Sequence, residues 1–265
     1  MRPPPGAEIP APEFPPRTPW LGAPFVRMDR LLGRHAVLVE FWDFARVHSL
    51  RTLPYLRAWH ERYAEAGLQV VGVHSPGYSF GRDADAATRA IERLEIPYPV
   101  ALDGDLAVWR LYGNRGWPGR YLFDRRGLLR FFHYGEGEYL ETELAIQEYV
   151  GETREPLAPV RPEDELGVLL EPQTADIALP ADRHRIELVR DWSDGEDWVE
   201  AADAGAAATF AFRGGAAYAV LSGAGLEPGL YENTGKVEAD SPGLRLHGVQ
   251  FTPAPPAPGG SPSGA

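Results

Sequence analysis

Three stretches gather the side chains able to do chemistry: FWDFARVHSLRTLPY at 41–55, GVHSP at 72–76 and RGWPGRYLFD at 115–124. The first carries Asp43, Arg46, His48 and Ser49, and the second carries His74. A serine nucleophile needs a base to take its proton and donors to hold an oxyanion. His48 adjoins Ser49, but neighbours on a helix point apart, so His74 is the other candidate base. No G-x-S-x-G surrounds Ser49 to expose its hydroxyl on a sharp turn. A plain helix-surface Ser49 and a strand-end, hydrogen-bonding His74 are therefore expected. Asp43, His48 and His74 follow no metal-ligand spacing, and no metal or other cofactor is expected. Cysteine is absent from all 265 residues. That removes thiolate catalysis, disulfides, zinc–thiolate sites and iron–sulfur clusters from the chemistry of this sequence.

A second constellation, DWSDGEDWVEAAD at 191–203, sets six carboxylates beside Trp192 and Trp198. Calcium takes oxygen ligands of this kind. Counting from Asp191, however, glycine stands fifth and Ala202 twelfth, which is not an EF-hand loop. Solvated turn acids fit better.

The net charge of −12 argues against non-specific nucleic-acid binding, which needs a basic surface. Residues 1–150 carry 18 basic and 19 acidic side chains, and residues 151–265 carry 8 and 19. A composition break thus falls near residue 151. Prolines crowd both ends, nine in residues 1–24 and five in 252–265, and mark loose, polyproline-like tails. No apolar run approaches the roughly 18 residues that cross a bilayer, and the start lacks a basic-then-apolar leader pattern. A cytoplasmic protein is expected.

The elements that must position these residues follow from periodicity. AVLVEFW (36–42) and LQVVGVH (68–74) are short apolar runs that predict buried strands. Between them Leu50, Leu53, Leu56, Trp59 and Tyr63 recur three or four apart, a helical face with Pro54 inside and Gly67 as its stop. Residues 83–94 predict a helix capped by Asp83. A strand at 98–102 and a helix at 105–112 follow. GRYLFD and LLRFFHY form a hairpin across Arg125–Arg126–Gly127, and a helix at about 138–150 closes the half. From 151 the texture becomes a proline-rich acidic linker, then short segments such as HRIELVRDW, ATFAFR, AYAVLS and GLRLHGV between glycine turns. That predicts an all-β sandwich or jelly roll.

A strand ending in Phe41–Trp42, a helix opening at once with Pro54 inside it, and Trp117–Pro118 before a later strand resemble a thioredoxin fold. The nearer resemblance is to redoxin-type (TlpA-like) domains at the end of bacterial cytochrome-c-biogenesis-type membrane proteins. Their comparable segment reads Phe-Trp-x-x-x-Cys-x-x-Cys before Arg-Thr-Leu-Pro-Tyr. Those proteins carry a following β-domain similar to carbohydrate-binding modules, which LVRDWSDGEDWVEA (188–201) resembles. The resemblance implies an α/β thioredoxin fold over 18–151 after a tail at 1–17. A linker at 152–165, a β-sandwich at 166–252 and a tail at 253–265 complete the layout. It also puts the two family cysteines at Arg46 and Ser49. Serine cannot replace either step of thiol–disulfide exchange, and no sulfur remains for a peroxidatic sulfenic acid.

In that fold Arg46 stands at a helix N-terminus, where a cation makes sense if Asp43 or a bound anion lies between them. The proline of Trp117–Pro118 is implied to be cis and to face the helix start, and its loop can pair with an extended peptide. Trp42, Tyr78, Trp117 and Pro118, with Asp43, Arg46, His48 and His74, make up the expected binding surface. Sugar stacking on Trp192 or Trp198 is implied by the resemblance alone. The expectation is a non-catalytic protein- or peptide-binding module, with a small anion at Arg46 and a glycan at the β-domain as further ligands. Its rival is the oxidoreductase or antioxidant role of the family, disfavoured because there is no cysteine.

Overall fold

The computed structural model describes residues 1–23, 25–166 and 173–254. The first half opens with β1 (Trp20–Leu21), α1 (Met28–Leu31), β2 (Ala36–Trp42), α2 (Val47–Tyr63) and β3 (Leu68–His74). It continues with α3 (Ala84–Arg93), β4 (Val100–Leu102), α4 (Ala107–Tyr112), β5 (Gly119–Phe123), β6 (Leu129–Tyr134) and α5 (Tyr139–Val150). The strands form one sheet in the order β1-β4-β3-β2-β5-β6. β2, β3 and β4 run parallel, while β1, β5 and β6 are antiparallel to their neighbours. This is a thioredoxin-like fold.

All seven residues of β2 are buried, as a central strand covered on both faces requires. Ala36 and Leu38 point into a cluster with Leu53, Leu56 and Trp59 of α2, whereas Val37, Val39 and Phe41 point into the opposite one. α2 passes through Pro54, whose ring sits on the exposed side. Asp83 caps α3 as expected, accepting from the N–H groups of Asp85 at 2.8 Å and Ala86 at 3.1 Å.

The second half contains β7 (Ile177–Ala178), β8 (Glu187–Val189), β9 (Trp192–Asp194), β10 (Val199–Ala201) and β11 (Ala207–Thr209). β12 (Ala217–Gly223), β13 (Leu226–Asn233), β14 (Lys236–Glu238) and β15 (Leu244–Phe251) complete it. One antiparallel sheet has the order β13-β12-β15-β10-β9, with β7 also paired to β15, and the other is β14-β11-β8. Residues from both sheets, among them Val199, Ala208, Val237 and Leu246, share one apolar cluster. The region is all-β, as its short segments predict.

Two proline-rich segments, one read as a loose tail and the other as a linker, are laid against the fold. Phe14 is 1 % exposed and packs edge-on to Trp20 at 5.0 Å. The Glu13 carboxylate accepts from the N–H of Met28 at 2.8 Å, and the Ala11 N–H donates to the Gly127 carbonyl at 2.8 Å. A few apolar and acidic anchors thus hold residues 1–17 despite the prolines between them. The linker behaves alike: the Tyr55 hydroxyl donates to Asp164 and accepts from the Val160 N–H, both at 2.8 Å. The expected tail at 253–265 lies, from residue 255 on, outside the described residues.

Candidate functional site

The site is built where β2 hands over to α2. Asp43 is 1 % exposed. Its carboxylate accepts from the Ala45 N–H at 2.9 Å and the Gly77 N–H at 2.7 Å, and His74 Nε2 stands 3.6 Å away. Burial works against the Asp43 charge, but His74, the Ala45 N–H and Arg46 outweigh it and hold its carboxyl below the usual range. His74 stacks on Phe44 at 5.1 Å and meets Trp42 edge-on at 5.6 Å. Of the three expected aromatics, Trp42 and Tyr78 are buried and Trp117 is half-buried.

Ser49 is not a helix-surface residue: it is 1 % exposed, and its Oγ accepts from the Asp43 N–H at 3.3 Å. His48 turns the other way, with Nδ1 2.7 Å from Glu136 Oε2. Arg51 donates to the same carboxylate at 2.7 Å and to Glu163 at 2.9 Å. Burial opposes ionisation of Glu136, yet His48 and Arg51 keep its carboxyl below the ordinary value. Ser49 is therefore left without a base, and no serine chemistry can start there.

Arg46 is the N-cap residue of α2, with extended backbone. Its guanidinium lies 4.6 Å from the Tyr78 ring centroid and 4.9 Å from that of Trp117, a cation held between two aromatic faces. Gly77 permits this: a Cβ there would stand 2.8 Å from the guanidinium. Trp117 Nε1 donates to the Ser75 carbonyl at 2.7 Å. The Trp117–Pro118 bond is cis, as expected, and Pro118 is buried.

Nothing in the local periodicity signals that the second half closes over this corner. Gln250 of β15 is 1 % exposed. Its Oε1 accepts from the Val47 N–H at 2.8 Å, and its Nε2 donates to the Ala45 carbonyl at 2.7 Å and the Tyr78 hydroxyl at 3.1 Å. A neutral amide oxygen thus caps the first helical N–H, while Asp43, one of the two anions expected beside Arg46, lies close enough for the arginine to lower its carboxyl. Nearby, the Asp197 carboxylate accepts from the Ser79 N–H at 2.6 Å and its hydroxyl at 2.8 Å. His247 joins Asp197 at 3.2 Å through Nδ1 and Ser222 Oγ at 2.7 Å through Nε2. Ser222, His247 and Asp197 thus repeat the atom order of a serine-hydrolase triad. Ser222 is buried, however, at 5 % exposure, unlike a nucleophile presented in an open cleft. The chain of bonds instead fixes β12, β15 and the β9–β10 turn to the loop at Ser79.

Trp192 is 8 % exposed and belongs to the apolar cluster of the β-region, so it has no face for a sugar. Trp198 is covered by Gly195, where a Cβ would stand 2.2 Å from its ring, and by the Arg245 guanidinium at 4.7 Å. Acids around them are paired: Glu196 with Arg82 at 3.1 Å and Glu200 with Arg245 at 2.6 Å. Among the described residues no group of three or more potential ligands converges on a metal position. Nor is any described helix long and apolar enough to cross a membrane.

Comparison with known proteins agrees with this geometry. Residues 11–132 match the AhpC/TSA family. DipZ of Mycobacterium bovis is 34% identical over 147 residues, 54% of this chain and 21% of that protein. The chain therefore spans about a fifth of the length of the DipZ proteins. The thiol-disulfide oxidoreductase YkuV of Bacillus subtilis is 26% identical over 144 residues, 54% of this chain and 96% of its own. Among solved structures, a thioredoxin-like superfamily protein superposes with a TM-score of 0.50 at 20% identity, over 56% of this chain and all of the other. The first half of the chain is thus a redoxin domain of AhpC/TSA type with a thioredoxin-like fold, and it carries no cysteine.

Proposed function

We propose that this protein is a non-catalytic, redoxin-type binding module whose recognition corner is filled in cis by Gln250 until a protein or peptide segment replaces it. The carrying observation is the two-sided pairing of the Gln250 amide with the Val47 N–H and the Ala45 carbonyl. A side-chain amide offers the same donor and acceptor as a peptide group, so the corner that holds one is suited to the other. Arg46, whose buried Nε has no hydrogen-bond partner, supplies a cation for an acidic residue of the incoming segment. Thiol–disulfide exchange, the activity in the name of the Bacillus relative, requires sulfur at positions held here by arginine and serine. A glycan role for the β-region finds no support in Trp192 or Trp198.

Two measurements test this reading. Turnover of a protein disulfide substrate is expected to equal the blank, and turnover above it would refute the non-catalytic assignment. On an array of acidic and neutral peptides, Gln250→Ala is expected to bind more strongly than the unaltered chain, and a further Arg46→Ala to reverse the gain for acidic peptides. Equal binding by all three proteins would remove the corner as the recognition site.

A further inference from the structure

The sheet of the first half has a second feature, which shares His74 with the site around Asp43. β3 and β4 are parallel neighbours. The helix after β3, α3, buries Ala87, Ala90 and Ile91 on the face shared with α2. The helix after β4, α4, buries Val108 on the opposite face. Adjacent parallel strands whose helices depart to opposite faces leave a crevice beyond their carboxyl ends, and open α/β sheets hold ligands there. A cavity of about 460 Å³ occupies that crevice. His74 and Leu102, the last residues of β3 and β4, line it, and Pro15 to Pro19 of the N-terminal strap close one side.

We propose that this crevice binds a small monocarboxylate with an apolar body, its charge at Arg17 and Arg82 and its inner end against the His74 imidazole. Both arginines line the cavity and are exposed. The Arg82–Glu196 pair is more than half exposed on both sides, so it yields readily to a ligand. The His74 ring is 1 % exposed, and its Nε2 makes no hydrogen bond, with the Asp43 carboxylate 3.6 Å away. Ala87, Leu102 and Pro19 offer the apolar wall.

The acids of the cavity set the charge of the ligand. Asp103 is engaged by the Ser75 hydroxyl at 2.8 Å and the N–H groups of Val108 and Trp109 at 2.8 and 2.9 Å. Asp105 accepts from the Ala107 N–H at 3.1 Å. Asp103 and Asp105 line the cavity together with Arg17 and Arg82, so a dianion such as a phosphate monoester is opposed more than a monoanion. A phosphate would also find the start of α3 taken, because Asp83 already caps it.

The experiment titrates the full chain with phenylacetate, butyrate and benzoate while following the His74 ring protons by NMR. Phenethylamine and phenyl phosphate are the cationic and dianionic controls. We expect the monocarboxylates to move the His74 signals and the controls to leave them still. The double variant Arg17→Gln/Arg82→Gln should weaken binding about tenfold or more, the loss of a charge-assisted contact. Arg2→Gln, which removes one positive charge at the exposed Arg2–Glu148 pair, should leave affinity unchanged. The proposal is overturned if no monocarboxylate shifts His74, if the cation or dianion binds as well, or if both variants bind like the unaltered chain.

Discussion

Gln250 Oε1 accepts the Val47 N–H at 2.8 Å although the two residues lie 203 positions apart. One end of the β-region thereby caps the helix whose start defines a redoxin site. The contact is surrounded by shared apolar packing, since Val220 of β12 is buried in the same cluster as Leu53 and Trp59 of α2. The halves are joined through chemistry at the site itself.

Removing that amide should be costly. Gln250→Ala leaves the Val47 N–H and the Ala45 carbonyl buried without partners, at about 1–3 kcal/mol for each such group. Urea unfolding at neutral pH should show a loss of about 2 kcal/mol or more, with faster hydrogen exchange at the Val47 amide. Gln250→Glu keeps the acceptor for the Val47 N–H but sets a second acceptor against the Ala45 carbonyl and buries a charge, so it should lose at least as much. Stability unchanged in Gln250→Ala would mean the cap is replaced by water without penalty.

A second stake lies beneath the sheet. Arg120 is fully buried, 3.3 Å from Glu40 through Nε, and donates through Nη1 to the Gly137 carbonyl and the Thr142 hydroxyl at 3.1 and 3.0 Å. Burial pushes the Glu40 carboxyl up, and Arg120 pulls against it. Arg120→Met strands a buried carboxylate and should cost about 3–5 kcal/mol. The double change Arg120→Met/Glu40→Leu should recover most of this, because an apolar pair needs no charge partner. A double variant as unstable as the single one would show that the arginine acts through its packing on Trp59 and Tyr139 instead.

The parts of this architecture that the sequence discloses are those set by local periodicity. AVLVEFW and LQVVGVH are buried strands because both faces of the central sheet are covered, and Asp83 caps the helix it precedes. The chemistry at Arg46 was only half legible. Its place at the helix start follows from the motif, but its two aromatic neighbours and Gly77 come from other loops. Gln250 was hidden by a bulge. Val220 pairs with Gly248 and Leu221 with Leu246, so His247 has no partner and the alternation along β15 reverses there. Leu246 and Val249 both reach the β-region core, whereas Gln250 faces the redoxin half. A strict period of two cannot assign Gln250 to that face. Composition misled at residues 1–17 for a related reason: proline content measures stiffness, whereas Phe14, Glu13 and the Ala11 N–H decide where the strap lies.

The Asp197 junction should fail in acid. Burial opposes the Asp197 charge, but His247 and the Ser79 N–H and hydroxyl outweigh it and lower its carboxyl from 3.8 to about 2. A carboxyl depressed in the folded state contributes stability that is fully present above pH 3.8 and lost as pH falls through about 2. The stability difference between the unaltered chain and Asp197→Asn should therefore hold steady at neutral and mildly acidic pH. It should close between those two values. A difference that stays constant down to pH 2 would show that Asp197 is not held as a charged acceptor by Ser79 and His247.

Restoring sulfur tests both the mapping of the site and its cover. Arg46 is the N-cap of α2 and Ser49 lies on its first turn, so Arg46→Cys/Ser49→Cys creates a C-x-x-C pair. Its sulfurs stand about one helical turn apart, a spacing a disulfide can bridge. The helix N-terminus lowers the pKa of the first thiol, because thiolate charge meets the partial positive end of the dipole. Thiol titration should find two free thiols after reduction and none after mild oxidation; two free thiols after oxidation would show the mapping onto residues 46–49 to be mistaken. Exchange with a protein disulfide is a different matter, because an outside sulfur must approach where Gln250 and Tyr78 now meet. Reductase activity of the double variant should be low and should rise several-fold when Gln250→Ala is added. If the third substitution changes nothing while the pair still closes, the β-region does not guard the site, and Gln250 is a structural cap alone.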